Sequence, residues 1–258
     1  MPDTPAIRPI QTTAPAVIFA TRLPPAATPA APQAAAPASR PVHDSQSRPP
    51  CQPRPLRVLL AASECVPFIK TGGLADVLGA LPKELKKLGV DVRVILPKYS
   101  AIGEEYKRRM AHVCDFPVPL GWRSQYCGIE VLQQDGVTFY FVDNEYYFGR
   151  NYIYGHACND EAERFAFFSK AVLDCLPHIG FFPDVLHAHD WQAAMAVALL
   201  KLQYNCLADY ARVRTLFTIH NLRYQGVFDW PFVSELLSLS GGLFNQDYIE
   251  YYGKANFM

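Results

Sequence analysis

The sequence lacks several features that would place it in a specialised class of protein. It has no net charge, because 24 lysines and arginines balance 24 aspartates and glutamates, so bulk charge predicts no nucleic-acid partner. It has no run of about 18 apolar residues, and a membrane-spanning helix is therefore not expected. Its seven cysteines are odd in number and contain no C-x-x-C pair, which disfavours a disulfide framework and suits a reducing cytoplasm.

The amino-terminal 55 residues differ from the rest of the chain. They hold 14 of the 22 prolines together with 12 alanines, and this composition predicts a disordered, polyproline-leaning tail. The one apolar cluster, residues 16–20, is too short to span a membrane and lacks the basic flank of a secretory signal. Five arginines against two acids leave a transit peptide, and with it a plastid location, as the alternative to a cytoplasmic protein.

From residue 56 the pattern is typical of an α/β domain, which we expect to cover 56–258. An apolar run at 56–62 predicts a buried parallel strand. Leucines at helical spacing from Leu74 to Leu88 predict a helix that ends at Gly89, and Pro82 predicts a kink or a late start in it. A strand at 90–96 completes a right-handed βαβ unit.

The remaining segments predict more of the same sheet and one excursion from it. Runs at 125–133 and 137–143, separated by a Gln-Asp-Gly turn, indicate a β-hairpin. Asp160 and Glu163 have the spacing of a capping box that opens a helix through about 177. Strands at 185–188 and 215–220 flank a helix at 191–203. We therefore predict an open, doubly wound, mostly parallel sheet with a β-hairpin insertion.

Polar residues follow three of the predicted strands, and ligands bind at the carboxyl ends of strands in such sheets. Ser63 and Glu64 lead from the first strand to residues 70–73. Residues 187–191 follow a later strand, and His220 with Asn221 follow the last. Three strand ends at one edge predict a single cleft.

Residues 70–73 have the composition of an anion site. Gly72 and Gly73 stand before a helix and let its free N–H groups approach a ligand, while Lys70 adds positive charge. The segment matches neither the ATP-binding P-loop nor the dinucleotide fingerprint, so neither an ATPase nor a nicotinamide enzyme is expected. The alternative is that the glycines only turn the chain and Lys70 is a solvated charge.

The cluster His187, His189 and Asp190 allows three interpretations. Alternate histidines share one face of a strand and could hold zinc, although no further ligands at a suitable spacing are evident. They could instead be buried and hydrogen-bonded, or the cluster could contact a sugar or phosphate. Asp190 also stands where a helix N-cap would be.

Aromatic residues are dense between 139 and 154. Rings with a polar tip stack on sugars, and packing of this segment on its own sheet is the alternative. Its members are Tyr140, Tyr146, Tyr147, Phe148, Tyr152 and Tyr154.

Three motifs carry a resemblance to a known family. Residues 70–77 (KTGGLADV), 187–192 (HAHDWQ) and 218–226 (TIHNLRYQG) occur in this order. Together with residues 251–257, they resemble the amino-terminal catalytic domain of bacterial glycogen synthases and plant starch synthases. The resemblance extends over about 56–258.

The resemblance implies a GT-B glycosyltransferase that needs no metal or other cofactor. Such an enzyme moves glucose from ADP-glucose to the non-reducing end of an α-1,4-glucan, with retention at the anomeric carbon. By the same resemblance, Lys70 meets the phosphates of the sugar nucleotide together with the N–H groups of Gly72 and Gly73. The resemblance also implies that Asp190 and His220 are the catalytic residues near the transferred glucose.

The resemblance also implies further substrate-binding positions at Glu64, Asp76 and Tyr147, and Tyr147 is expected to stack on a sugar. Asn221, next to His220, is expected to bind substrate as well. The expected partners are ADP-glucose and a glucan such as glycogen or starch, with a UDP donor as the open alternative, and neither nucleic acid nor a membrane.

The family has a second Rossmann-like domain, which supplies an Arg/Lys pair, an acidic residue and most of the adenosine site. These features do not occur within residues 1–258, and we therefore expect little or no transferase activity from this polypeptide alone. A glucan-binding or interaction module without catalysis is the alternative function. A zinc hydrolase that uses His187 and His189 ranks last.

Overall fold

The computed structural model describes residues 54–155 and 159–258, together with the backbone of residues 17–19. The strands of its main sheet are β1 (Val17–Phe19), β2 (Arg57–Ala61), β3 (Asp91–Pro97), β4 (Ala111–Leu120), β5 (Arg123–Gln134), β6 (Val137–Asp143), β7 (Val185–His189) and β8 (Arg214–Ile219). A small sheet consists of β9 (Val227–Phe228), β10 (Glu250–Tyr251) and β11 (Lys254–Asn256). The α-helices are α1 (Gly73–Lys87), α2 (Glu104–Lys107), α3 (Glu145–Phe148), α4 (Asn159–His178), α5 (Trp191–Leu199) and α6 (Trp230–Leu237).

The main sheet has the order β1-β8-β7-β2-β3-β6-β5-β4. The five strands from β8 to β6 are mutually parallel, and β1, β4 and β5 pair antiparallel. The predicted α/β class with a mostly parallel sheet is confirmed. The predicted hairpin is also present, as β5 and β6. The expectation that it leaves the parallel sheet is wrong, because β6 pairs parallel with β3 inside the main sheet.

Strand β1 was not expected, because it lies within the predicted disordered tail. Val17, Ile18 and Phe19 pair with Ile219, Thr218 and Phe217 of β8. The free edge of β8 offers unpaired N–H and C=O groups, and β-branched and aromatic residues suit such an edge. For residues 17–19 the prediction of disorder is therefore wrong; the rest of the tail, up to residue 53, lies outside the described residues.

Strand β4 was missed in the sequence because two prolines interrupt its pattern. Pro117 and Pro119 both point to solvent, whereas Phe116, Val118 and Leu120 are buried. Among the described residues, the strand lies at the edge of the sheet and pairs with β5 alone. Proline is tolerated there because an edge strand needs only half of its ladder donors.

Helices α1 and α4 depart from the sequence predictions at their starts. Helix α1 begins at Gly73 and continues across Pro82, so it has no late start. Asp160 is already inside α4 rather than at its N-cap, and both of its carboxylate oxygens bind Arg150. Glu163 instead binds Tyr147 and Arg123, so the predicted capping box is wrong.

The core lies on both sides of the parallel strands. Strand β2 shows why, because Val58, Leu59, Leu60 and Ala61 are all buried, as expected for a strand covered on both faces. None of the helices in the described part of the chain is long and apolar enough to cross a membrane.

Candidate functional site

The three strands that precede the polar clusters are neighbours in the sheet. Strand β7 lies between β2 and β8, and all three are parallel. The chain continues from β2 to β3 on one side and later returns to β7 on the other side, so the order of strands reverses at β2. In open α/β sheets a ligand crevice forms at the carboxyl ends of the strands at such a point. The loops that carry Glu64, Asp190 and His220 begin at this edge.

Asp190 joins the loops that follow β7 and β8. Its Oδ1 accepts the N–H of His220 at 2.6 Å and the N–H of Asn221 at 3.3 Å. Its own N–H donates to the carbonyl of Thr218 at 2.9 Å. These three bonds hold the end of β7 against the end of β8.

The backbone of Asp190 is strained. Its φ of 55° and ψ of 176° lie in a region that glycine occupies almost exclusively, at a cost of about 1–3 kcal/mol for other residues. The residue precedes α5, but its carboxylate makes no cap hydrogen bond to that helix. The prediction that Asp190 stands at the N-cap of a helix that begins at Trp191 is confirmed, but its side chain is turned to β8 and does not cap the helix.

Two opposing effects act on the pKa of Asp190, and the one that favours the neutral carboxyl group is the larger. Burial raises the pKa of the carboxyl group, while the N–H groups of His220 and Asn221 lower it. With 7% of the residue exposed, the carboxylate is a nearly enclosed charge beside the cleft.

The three histidines of the site form one packed group, joined by ring contact and by one hydrogen bond. His187 Nε2 lies 2.7 Å from the hydroxyl of Thr218, and His189 Nδ1 lies 2.9 Å from His220 Nε2. The rings of His187 and His189 have centroids 4.0 Å apart. Of the interpretations offered by the sequence, burial with hydrogen bonding describes His187 and His189.

Burial keeps these imidazoles neutral at pH 7. It lowers the pKa of His187 to about 4 and that of His189 well below its ordinary value. It also lowers the pKa of His220, against the opposing effect of Asp190 and Glu64. In the described parts of the chain, no three His, Cys, Asp or Glu side chains form a group that could hold a metal ion.

The predicted anion segment is held by two carboxylates of the chain itself. Glu64 Oε2 accepts the N–H of Thr71, the hydroxyl of Thr71 at 2.9 Å and the N–H of Gly72 at 3.3 Å. Lys70 Nζ contacts both oxygens of Asp76, at 2.7 and 2.8 Å. In this conformation Glu64 accepts the N–H of Gly72, so a phosphate at Gly72 would have to replace that bond, and phosphate binding by Gly72 stays a prediction.

Gly73 and Lys70 are the accessible parts of this segment. Gly73 is exposed and is the first residue of α1, and a Cβ there would meet no atom within 4 Å. Lys70 is about half exposed. An anion at the start of α1 would therefore reach Gly73 freely and would compete with Asp76 for Lys70.

Tyr147 does not line the cleft. Its side chain is fully buried, its hydroxyl donates to Glu163 Oε1 at 2.5 Å, and its ring lies 4.7 Å from that of Phe167. The expectation that Tyr147 stacks on a sugar is wrong for this structure. The accessible rings of the segment are those of Tyr146 and Tyr152, which are 65% and 45% exposed.

Two contacts of the site were not found in the sequence. Tyr154 shares a hydrogen bond of 2.7 Å with the hydroxyl of Ser63, which connects the aromatic segment to the loop after β2. Gly226 has a φ of 66°, and a Cβ there would lie 2.4 Å from the ring of Trp191. The glycine at the end of the TIHNLRYQG motif could have indicated this close approach in the sequence.

The comparisons with known proteins agree with this geometry. Residues 57–258 match the family model described as the starch synthase catalytic domain. The glycogen synthases of Anoxybacillus flavithermus and Geobacillus stearothermophilus are each 54% identical over 203 residues, which cover 79% of this chain and 42% and 41% of those proteins. The chain thus spans about two fifths of the length of the curated relatives it matches.

A solved structure is similar as well. The catalytic domain of starch synthase IV from Arabidopsis thaliana, bound to ADP and acarbose, superimposes with a TM-score of 0.71 at 28% identity. The match covers 79% of this chain and 42% of that chain. With its sheet order, its strand-end residues and a family match over residues 57–258, the chain belongs to the family of starch synthase catalytic domains.

Proposed function

We propose that this chain supplies one side of the active site of a retaining glucosyltransferase that moves glucose from ADP-glucose to the non-reducing end of an α-1,4-glucan. The observation that carries the proposal is that the loops with Lys70, Asp190 and His220 follow three neighbouring strands, β2, β7 and β8, and that Asp190 binds the backbone of His220. The ADP and acarbose bound by the starch synthase IV structure support a nucleotide donor and a glucan acceptor for this chain.

Lys70 and the N–H of Gly73 hold the diphosphate of the donor. The start of a 15-residue helix favours an anion, and Lys70 neutralises charge on the leaving group. Glu64 shapes this segment through Thr71 and Gly72 rather than by contacting substrate. Binding of a diphosphate at Lys70 requires Asp76 to release the ammonium group.

Asp190 and His220 serve the glucosyl group. As the bond between the anomeric carbon and the phosphate oxygen breaks, positive charge develops on the sugar ring. The enclosed carboxylate of Asp190 stabilises that charge from a fixed position, because its oxygen is held by the N–H groups of His220 and Asn221. Asn221 thus acts through its backbone. The chemistry needs no metal or other cofactor.

Binding of ADP-glucose to the 258-residue chain, measured by isothermal titration calorimetry, tests the donor site. Lys70→Ala should weaken binding by about tenfold, the effect of one charge-assisted hydrogen bond. Lys83→Ala is the matched control, because Lys83 is also about half exposed and ion-paired at 2.7 Å on α1. Equal effects of the two substitutions would refute the assignment of Lys70.

A second candidate function is a glucan-binding module without catalysis. The exposed rings of Tyr146 and Tyr152 favour it, because such rings stack on sugars. Maltoheptaose binding that is lost in Tyr146→Ala, combined with no ADP-glucose binding, would support this module over the transferase.

The proposal includes a cytoplasmic location. The five cysteines in the described residues are all free thiols, as expected in a reducing compartment.

A further inference from the structure

We propose that His189 is a positioning residue that holds the proton of His220 on Nδ1, so that His220 acts as a neutral N–H donor in the cleft. The role of that donor toward the glucosyl group rests on the proposed function, whereas the position of the proton does not. His189 is buried, and the proposed transfer reaction gives it no role.

The contact between the two rings requires one shared proton. His189 Nδ1 and His220 Nε2 lie 2.9 Å apart, which is a hydrogen-bond distance. Burial keeps both rings neutral at pH 7, and a neutral imidazole carries a proton on only one nitrogen. One ring therefore donates and the other accepts.

The second nitrogen of His189 indicates which ring is the donor. His189 is 1% exposed, and its Nε2 is buried without a hydrogen-bond partner among the described residues. If His189 accepted from His220, its own proton would be on Nε2 as a buried N–H without an acceptor. Orphan buried N–H groups are rarer than unpaired acceptors. The proton of His189 is therefore on Nδ1 and is donated to His220 Nε2.

The surrounding contacts prevent the ring of His189 from rotating to reverse this arrangement. His187 lies against it with ring centroids 4.0 Å apart and is itself bound to Thr218 at 2.7 Å. The rings of His189 and His220 are nearly parallel, at 21°. His189 is thus fixed by packing on one side and by its hydrogen bond on the other.

The consequence for His220 is chemical. Its Nε2 is used as an acceptor, so its proton is on Nδ1, where it can donate to an oxygen such as a sugar hydroxyl. A neutral donor suits a glucosyl group that becomes positive during transfer, because an imidazolium ion would repel it. The two histidines therefore provide a hydrogen bond without adding a charge.

The proton positions can be read directly from the 258-residue chain. Two-bond and three-bond ¹H–¹⁵N correlations of the chain labelled at histidine, recorded at pH 7, distinguish Nδ1–H from Nε2–H. We expect Nδ1–H for both His189 and His220. His178, which stacks on Phe116 outside the cluster, is the internal reference. An Nε2–H proton on His220 in the unaltered chain overturns the inference without any variant.

Two substitutions test the role of His189. In His189→Asn the amide nitrogen occupies the place of Nδ1, so His220 should keep its Nδ1–H. In His189→Leu the donor is lost, and His220 should shift to Nε2–H while His178 is unchanged. Retention of Nδ1–H by His220 in the folded leucine variant would contradict the role of His189.

Ligand binding separates this inference from the proposed function. His189→Leu should weaken ADP-glucose binding by about fivefold, one neutral hydrogen bond, and leave ADP binding unchanged, because ADP lacks the sugar. An equal loss for both ligands would overturn the role of His189 toward the glucosyl group. Binding of ADP without binding of ADP-glucose by the unaltered chain would instead refute the proposed function and leave the proton positions as measured.

Discussion

The backbone at position 190 has a conformation that favours glycine, so the Asp190→Gly variant should have a higher free energy of unfolding than the Asp190→Ala variant. Its φ of 55° and ψ of 176° cost a residue with a Cβ about 1–3 kcal/mol. Its carboxylate offsets that cost through the N–H groups of His220 and Asn221. Asp190→Ala loses these bonds and keeps the strain, whereas Asp190→Gly loses the bonds and the strain together.

The size of each effect follows from these contacts. A hydrogen bond to a charged group contributes about 1.5–3 kcal/mol, and burial that raises the pKa of Asp190 shows that desolvation offsets part of it. Asp190→Ala should therefore lower the free energy of unfolding by about 2 kcal/mol. Asp190→Gly should recover most of that loss, because relief of strain is of similar size.

Glycine is also a better N-cap residue than alanine, and Asp229 supplies the control for this preference. It stands at the N-cap of α6 with an ordinary φ of −70° and no cap hydrogen bond. Urea unfolding followed by tryptophan fluorescence gives the four free energies. At each position, the free energy of unfolding of the glycine variant is compared with that of the alanine variant. The difference at position 190 should exceed that at position 229 by about 1–3 kcal/mol, and equal differences would refute the strain argument.

Three further predictions concern stability and binding. The pKa of His187 falls from 6.5 to about 4 on folding, so its contribution to stability is present above pH 6.5 and is lost as the pH falls toward 4. The loss amounts to about 3 kcal/mol of the free energy of unfolding. His187→Gln should reduce this loss in unfolding measurements between pH 4 and 7, and an unchanged dependence on pH would contradict the prediction. Gly226→Ala, whose Cβ would lie 2.4 Å from Trp191, should cost more than about 2 kcal/mol, whereas the control Gly241→Ala, with no atom within 4 Å, should change stability by less than about 0.5 kcal/mol. Tyr147→Phe should cost about 1 kcal/mol of stability and leave maltoheptaose affinity unchanged, and a large loss of affinity would show that the buried ring becomes accessible.

The sequence predicted which strand ends lie side by side better than it predicted the contacts between their residues. Strands are short apolar runs, and their ends are marked by polar residues, so the edge that carries Asp190 and His220 could be found from the pattern alone. Neighbouring strands share an edge once the sheet is parallel, and the βαβ spacing indicated that it is. The hairpin of β5 and β6 was predicted for a similar reason, because its turn residues are local signals.

Contacts between residues distant in the sequence could not be predicted in this way. Glu163 has the spacing of a capping residue, yet it binds Tyr147 and Arg123, which come from other elements. The sequence left Tyr147 either stacking on a sugar or packing against the protein itself, and α3 turns it into the core. In both cases tertiary packing provides a partner that local spacing does not show.

The sequence by itself determined the α/β class, the three strand ends and the family to which they belong, because periodicity and motif spacing are local properties of the chain. Only the tertiary structure decided which groups meet. It placed Glu64 on the N–H groups of Thr71 and Gly72, and it placed His189 against His220. The Glu64 contacts form within the loop that follows β2. The contact of His189 with His220 depends on the order of strands in the sheet, which brings residues about 30 positions apart within hydrogen-bond distance.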